Sequence, residues 1–234
     1  MSQPQKTRRP PSPASRKGAR QEARRRLPLV GILIVVVAVV LVGAVAITQL
    51  GGDDSNDQPS GGGSVAEVQP VTVSGQPLTP FPGNGADDPS IGATAPVIDG
   101  KSFDGTPESV GGAIGRPSLV VFVAHWCPHC RAEVPRLVEW RADGTIPEDI
   151  DLVAVSTGVQ SDLPNYPPSA WLEQEGWPGR VMTDDADGTA AGYYGLPSYP
   201  YFVALDAQGR VVTRATGELD QQAIEDVVSQ LQAG

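Results

Sequence analysis

From Leu29 to Ile47 the chain passes through nineteen consecutive residues that are all Leu, Val, Ile, Ala or Gly, and no charge stands between Arg26 and Asp53. A helix that is apolar all round belongs inside a lipid bilayer or a large protein core, not on the surface of a soluble domain. At about 1.5 Å per residue, Leu27 to Leu50 would extend roughly 36 Å, enough to cross a hydrocarbon layer about 30 Å thick. The segment is therefore expected to be a transmembrane helix over residues 27–50, with a buried core helix as the competing reading.

The charge distribution gives this span a direction. Residues 1–26 hold nine basic residues and one acid, a formal charge of +8, whereas the rest of the chain carries −18, and the two sum to the overall −10. Arg24, Arg25 and Arg26 directly precede the apolar run. The positive-inside rule then assigns residues 1–26 to a cytoplasmic tail and the acidic body to the outer side of a cell membrane crossed once. Ala44-Val45-Ala46 has the small-x-small form that a signal peptidase accepts, so cleavage after Ala46 is the alternative. The long basic region and the length of the apolar run favour a retained anchor. An acidic body is poorly suited to phosphate backbones, and no nucleic-acid partner is expected.

Residues 51–90 read as a flexible linker: eight Gly, six Pro, six acidic residues and no basic one. With few large apolar side chains, the segment has little burial to offset the entropy of ordering. Val65 to Val73 alternates weakly, which is compatible with one short strand. One folded domain is expected over residues 91–234. Within it, Ser118–Ala124 and Asp151–Ser156 are apolar, β-branched runs of the kind found in strands covered on both faces. Helical spacing marks Cys130–Arg141, where Pro135 is expected to introduce a kink, and a short helix is expected over Ser169–Glu175. Arg180–Thr183 reads as a strand and Thr189–Tyr194 as a helical turn. Tyr201–Leu205 and Arg210–Arg214 flank the turn Asp206-Ala207-Gln208-Gly209, a hairpin signal. A last helix, capped by Asp220, places Ile224, Val227, Val228 and Leu231 on one face. The sum is an α/β domain with a central sheet flanked by helices.

Both cysteines of the chain lie at the end of the first of these strands, in Trp126-Cys127-Pro128-His129-Cys130. A helix opening here would present unpaired N–H groups and a positive dipole end to Cys127, favouring its thiolate, the species that attacks disulfides. Two intervening residues bring Cys130 round one turn, where it can resolve a mixed disulfide. Pro128 costs no hydrogen bond in a first helical turn. A zinc site would require two further ligands, and His125 and His129 both flank the same loop, so no metal is expected. A structural disulfide closing so short a loop would add little through chain entropy.

Seventy residues on, Tyr194-Gly195-Leu196-Pro197-Ser198-Tyr199-Pro200-Tyr201-Phe202-Val203-Ala204-Leu205-Asp206 supplies a second element. Together with Gly92-Ala93-Thr94-Ala95-Pro96 and the stretch Phe122 to Pro135, it resembles the thioredoxin superfamily, in particular its membrane-tethered TlpA-like and ResA-like thiol-disulfide oxidoreductases. The resemblance covers about residues 91–232. It implies a thioredoxin-like fold with a mixed sheet, a redox-active Cys127–Cys130 disulfide and no other cofactor. It also implies a cis-proline at Pro200, with backbone groups of Tyr199 binding substrate peptide; Pro197 is the competing cis position. Trp126 is expected to border the substrate groove, and His125 is expected to be a rim residue without a role.

The sequence departs from the family at two informative places. The buried Asp that thioredoxin carries in its central strand is Val121 here, which leaves Glu133 as a candidate for proton transfer. The dipeptide between the cysteines is Pro-His, as in DsbA-type oxidants, and a His at position 129 can stabilise the Cys127 thiolate and make the disulfide more oxidising. The expected activity is thiol-disulfide exchange on cysteine-containing exported proteins, as disulfide donor recycled by a quinone-linked membrane thiol oxidase. The alternative is a reductase, for example of apocytochrome cysteines, fed by a membrane electron carrier. A copper-binding module using Cys127, Cys130 and a His is a third reading from a different class.

Overall fold

The computed structural model describes residues 65–233. The basic tail (1–26), the apolar span (27–50) and residues 51–64 of the expected linker lie outside the described residues. Among those described, no helix is long and apolar enough to cross a membrane.

The order of elements is β1 (Thr72–Ser74), β2 (Val97–Lys101), β3 (Pro107–Val110), β4 (Ser118–Val123), α1 (Pro128–Ala142), β5 (Asp151–Ser156), α2 (Pro168–Glu175), β6 (Arg180–Thr183), α3 (Thr189–Tyr193), β7 (Tyr201–Leu205), β8 (Val211–Thr216) and α4 (Gln221–Ala233). The strands form one mixed sheet in the order β1-β2-β6-β5-β4-β7-β8, with β3 pairing β2. β4 and β5 run parallel, as do β5 and β6, while β7 is antiparallel to both β4 and β8. This is a thioredoxin-like α/β fold.

Strands β4, β5 and β7 are buried along their whole length, as their uninterrupted apolar sequences require of strands covered on both faces. Alternation then sorts their side chains into two cores. Leu119, Val121 and Val123 pack with Val134 and Leu137 of α1 and with Ile224 and Val228 of α4. Val120 and Phe122 face the other way, toward Tyr194, Tyr201, Ile98, Leu78 and Phe81. Helix α1 runs through Pro135, and α4 buries the expected stripe of Ile224, Val227, Val228 and Leu231. Asp220 caps α4, accepting a bond from Ala223 N–H at 2.9 Å. The β7–β8 turn closes with Gly209 N–H donating to Asp206 C=O at 2.9 Å.

The expected linker boundary at residue 90 is corrected by the structure: residues 65–90 form a strap that belongs to the domain. Thr72–Ser74 pairs antiparallel with β2, and Leu78 and Phe81 are buried in the second core. Leu78 N–H donates to Tyr193 C=O at 2.8 Å and Phe81 N–H to Gly195 C=O at 3.0 Å. The physical reason is coverage. On that face the buried residues of α3 are Ala190 and Ala191, both small, so Leu78 and Phe81 complete the layer over Phe122 and Tyr201. Asp88, read as a linker charge, is buried in an ion pair with Arg214 of β8. The same guanidinium donates to Thr79 C=O at 3.0 Å, Tyr194 C=O at 3.2 Å and the Tyr201 hydroxyl at 3.0 Å, so a buried cation is fully partnered. Gly195 shows how closely the strap lies: its φ is +72°, and a Cβ there would stand 2.5 Å from Thr79 O.

Candidate active site

The pairing of β4 with β7 creates the site. Phe122 is opposite Tyr201, so the residues just after β4 and those just before β7 must meet at the same edge. The first group is Ala124 to Cys127; the second is Ser198 to Pro200.

Cys127 occupies the N-cap of α1, with φ −72° and ψ 122°, and Pro128 opens the helix. Its carbonyl accepts from Arg131 N–H at 3.1 Å. No side chain caps this helix, so a thiol stands where a capping oxygen is usual, beside the unpaired N–H groups of the first turn. Cys127 is 6% exposed and Cys130 is fully buried; both are free thiols. Cys127 Sγ donates to Tyr199 C=O at 3.8 Å, and Cys130 Sγ accepts from Ala124 N–H at 3.5 Å. Burial pushes the Cys130 thiol up, and the neighbouring Cys127 and Glu133 add to the effect. The two sulfurs are thus differentiated: one reaches the surface at a helix terminus, while the other is held below it as a thiol.

The Tyr199–Pro200 peptide is cis. It sits where the sequence reading placed it, next to Cys127, and Pro197 is not a cis residue. A second cis bond, Tyr166–Pro167, was not anticipated. Trp126 borders the site: its indole N–H donates to Gly158 C=O at 2.8 Å, and its ring meets Tyr199 edge to face with centroids 5.8 Å apart.

His125 is buried, not a rim residue. Its Nδ1 lies 2.7 Å from Pro164 O, its Nε2 accepts from Gln160 N–H at 3.2 Å, and its backbone carbonyl accepts from Asn165 Nδ2 at 2.8 Å. A carbonyl can only accept and a backbone N–H can only donate, so the ring is neutral with its hydrogen on Nδ1. It fastens the loop 157–167 to the residue pair ahead of Cys127. That role depends on partners 35 to 40 residues away and leaves no signal in the local sequence.

Glu133 is buried, where a position one turn beyond Cys130 on a surface helix would ordinarily be solvated. Its carboxylate is bound by the Arg136 guanidinium, with one bond at 3.1 Å, and by Leu219 N–H at 3.2 Å. Burial raises the pKa of Glu133 above the ordinary carboxylate range, against the pull of Arg136. His129 projects from α1, its side chain 64% exposed, and its Nδ1 lies 2.7 Å from Glu218 Oε1. Glu218, in the segment between β8 and α4, also accepts from Arg136 at 2.9 Å. Sequence reasoning missed Glu218: no motif surrounds it, and it lies 89 residues from the ring it contacts. Among the described residues, no group of three or more His, Cys, Asp or Glu side chains is arranged to hold a metal ion.

The chain is similar to known proteins. The family model described as Redoxin matches residues 91–231. The thiol:disulfide interchange protein HelX of Rhodobacter capsulatus is 28% identical over 144 residues, covering 62% of this chain and 71% of that protein. The methylamine utilization protein MauD of Methylophilus methylotrophus is 29% identical over 128 residues, and the match spans 54% of this chain and 56% of MauD, so the chain accounts for about half of that relative. A crystal structure of a thiol:disulfide interchange protein DsbE from Chlorobium tepidum superimposes with a TM-score of 0.51 at 22% identity, covering 61% of this chain and 96% of that one, a likeness of fold. With a family model spanning β2 to β8, the cysteine pair and the cis-proline loop together, this chain belongs to the Redoxin family.

Proposed function

We propose that the protein is a membrane-tethered thiol-disulfide oxidoreductase acting on exported proteins, with Cys127 as the exchanging sulfur and Cys130 as its partner. One observation carries the reading: a sulfur at a helix N-cap, 3.8 Å from the Tyr199 carbonyl and beside a cis-proline, with the second cysteine fully buried three residues on. In the donor direction, a client thiolate attacks Sγ of Cys127 in the oxidised pair and the Cys127–Cys130 bond breaks. The electron pair goes to the Cys130 sulfur, which takes a proton because its burial disfavours a thiolate. A second client thiolate then attacks the client sulfur of the mixed disulfide, forming the client disulfide and releasing Cys127. The client loses two electrons, the couple gains them, and a membrane thiol oxidase of the quinone-linked type returns it to the disulfide.

Donation is favoured by Pro128-His129, because a basic residue between the two cysteines can stabilise the reduced couple and make its disulfide more oxidising. The reductase alternative, in which the same steps run backward and apocytochrome cysteines are the clients, is favoured by the resemblance to the TlpA-like branch. Membrane attachment rests on the apolar run Leu29–Ile47 and the three arginines before it.

The test is the equilibrium of the Cys127–Cys130 couple with glutathione, together with oxidative refolding of a reduced client. A potential near −120 mV with disulfide formation supports donation; one near or below −270 mV with only reductive activity supports the reductase. Tight stoichiometric copper binding by a protein that exchanges no disulfides would replace both with a copper module. Alkaline carbonate extraction of cell membranes tests the anchor, with release of the intact chain counting against it.

A further inference from the structure

The fold spends one surface carboxylate in an unusual way. Glu218 has both oxygens engaged: Oε1 lies 2.7 Å from Nδ1 of His129, and Oε2 accepts from Arg136 at 2.9 Å. Arg136 in turn grips the buried Glu133, and the residue after Glu218 donates its backbone N–H to the same Glu133 at 3.2 Å. Residues 218 and 219 therefore clasp α1 between His129 and Arg136 through three contacts, one of which ends on the histidine between the two cysteines. Without such a partner, a ring this exposed would sample several rotamers.

We propose that Glu218 is a positioning residue for the redox motif: it holds the His129 ring through Nδ1 and acts as its counter-charge, and thereby sets how readily the Cys127–Cys130 couple is reduced. The hydrogen bond to His129 keeps the Glu218 carboxylate below its ordinary range, so it stays charged through neutral pH. A carboxylate can only accept, so the hydrogen is on Nδ1. The charged groups on the ring's side of α1 are Glu133, Arg136 and Glu218, and Arg136 is shared between the two carboxylates. When His129 is positive this cluster is neutral overall; when it is not, one negative charge is left over. Glu218 thus ties a negative charge to the ring that separates the two cysteines in the chain, two residues from the sulfur at the N-cap of α1. The inference rests on thiol-disulfide exchange at Cys127 and Cys130 but not on its direction in the cell.

The test is a double-mutant cycle in the full-length chain with Glu218→Gln, His129→Ala and the pair. Glu218→Gln preserves shape and an acceptor while removing the charge; Glu218→Ala removes the hydrogen bond as well. Two readouts apply, the pH midpoint of Cys127 alkylation and the equilibrium constant with glutathione. In the His129 background, Glu218→Gln is expected to raise the alkylation midpoint and shift the equilibrium about two- to fivefold toward the disulfide, the range set by an exposed ion pair. Glu218→Ala is expected to do at least as much, and neither to have an effect once His129 is Ala. An unchanged midpoint and equilibrium in Glu218→Gln overturns the proposal, as does a shift of opposite sign or one that persists without His129. If the wild-type pair does not exchange with glutathione at all, the proposed function fails instead, and the two failures are distinguishable.

Discussion

Cys127 Sγ lies 3.8 Å from the carbonyl oxygen of Tyr199, a residue 72 positions further along the chain. The contact is a consequence of sheet register. Because β4 and β7 are antiparallel with Phe122 opposite Tyr201, the chain leaving β4 and the chain entering β7 share one edge. The helix opened by Pro128 presents the sulfur there, and the cis Tyr199–Pro200 peptide stands beside it.

The asymmetry between the two sulfurs leads to the first prediction. Cys127→Ser should abolish exchange with client proteins, because Cys130 is fully buried and its thiol is shifted up. Cys130→Ser should instead accumulate mixed disulfides between Cys127 and its clients, visible as slow-migrating species on non-reducing gels that vanish with dithiothreitol. Mixed disulfides formed by Cys127→Ser would reverse the assignment.

Gly158 gives the second. It has φ +61°, and a Cβ added there would stand 2.8 Å from the Tyr199 hydroxyl. Gly158→Ala should therefore cost about 1–2 kcal/mol from the left-handed backbone alone. It should also push Tyr199 against Trp126, whose indole N–H is held by the Gly158 carbonyl. The expected kinetic result is a rise in KM for a protein client that exceeds any fall in kcat, measured by single-turnover client oxidation or reduction.

The strap gives the third. A chain beginning at residue 65 should fold, whereas one beginning at residue 91 should not, since it lacks Leu78 and Phe81 and leaves Arg214 without Asp88. Within the full strap, Asp88→Asn should cost about 3–5 kcal/mol, the penalty for stranding one member of a buried pair. Thermal unfolding of the two truncations and of the point variant would decide it.

Asp88 also carries a pH signature. Burial by itself would raise the pKa of Asp88, but the bonds from Arg214 and from Ser90 N–H outweigh it and hold the carboxyl below its ordinary value. A depressed folded-state value means that the stability it contributes is present above the unfolded carboxyl value of about 3.9 and is lost as the pH falls through the folded value. The gap in Tm between wild type and Asp88→Asn should be constant near neutrality and close only in strong acid. A gap that closes between about pH 7 and pH 5 would point to another group.

Legibility in the sequence followed the range of the interactions. Strands β4, β5, β6 and β7, the hairpin turn, α4 with its Asp220 cap and the Cys127–Cys130 motif are written in local patterns, each within one continuous short stretch. Strands β2 and β3 went unread because VIDGK and PESV are short and polar and are paired mainly with each other and with β1. The strap was misread for a related reason: a Gly- and Pro-rich segment with two large apolar side chains cannot order itself, and becomes ordered only where Leu78 and Phe81 find an uncovered sheet face.

From its residues alone the chain determined an apolar span, an α/β domain and a cysteine pair at a strand-to-helix junction, since each depends on periodicity or adjacency along the backbone. Tertiary structure decided what surrounds that pair. Glu218 reaches His129 across 89 residues, Gln160 and Pro164 fix the buried His125, and Arg214 draws Asp88 into the core across 126. Side chains so far apart in sequence influence one another only after the sheet has brought them together, and for the buried Arg214 and Asp88 the low dielectric then gives their charges a strength that water would have screened.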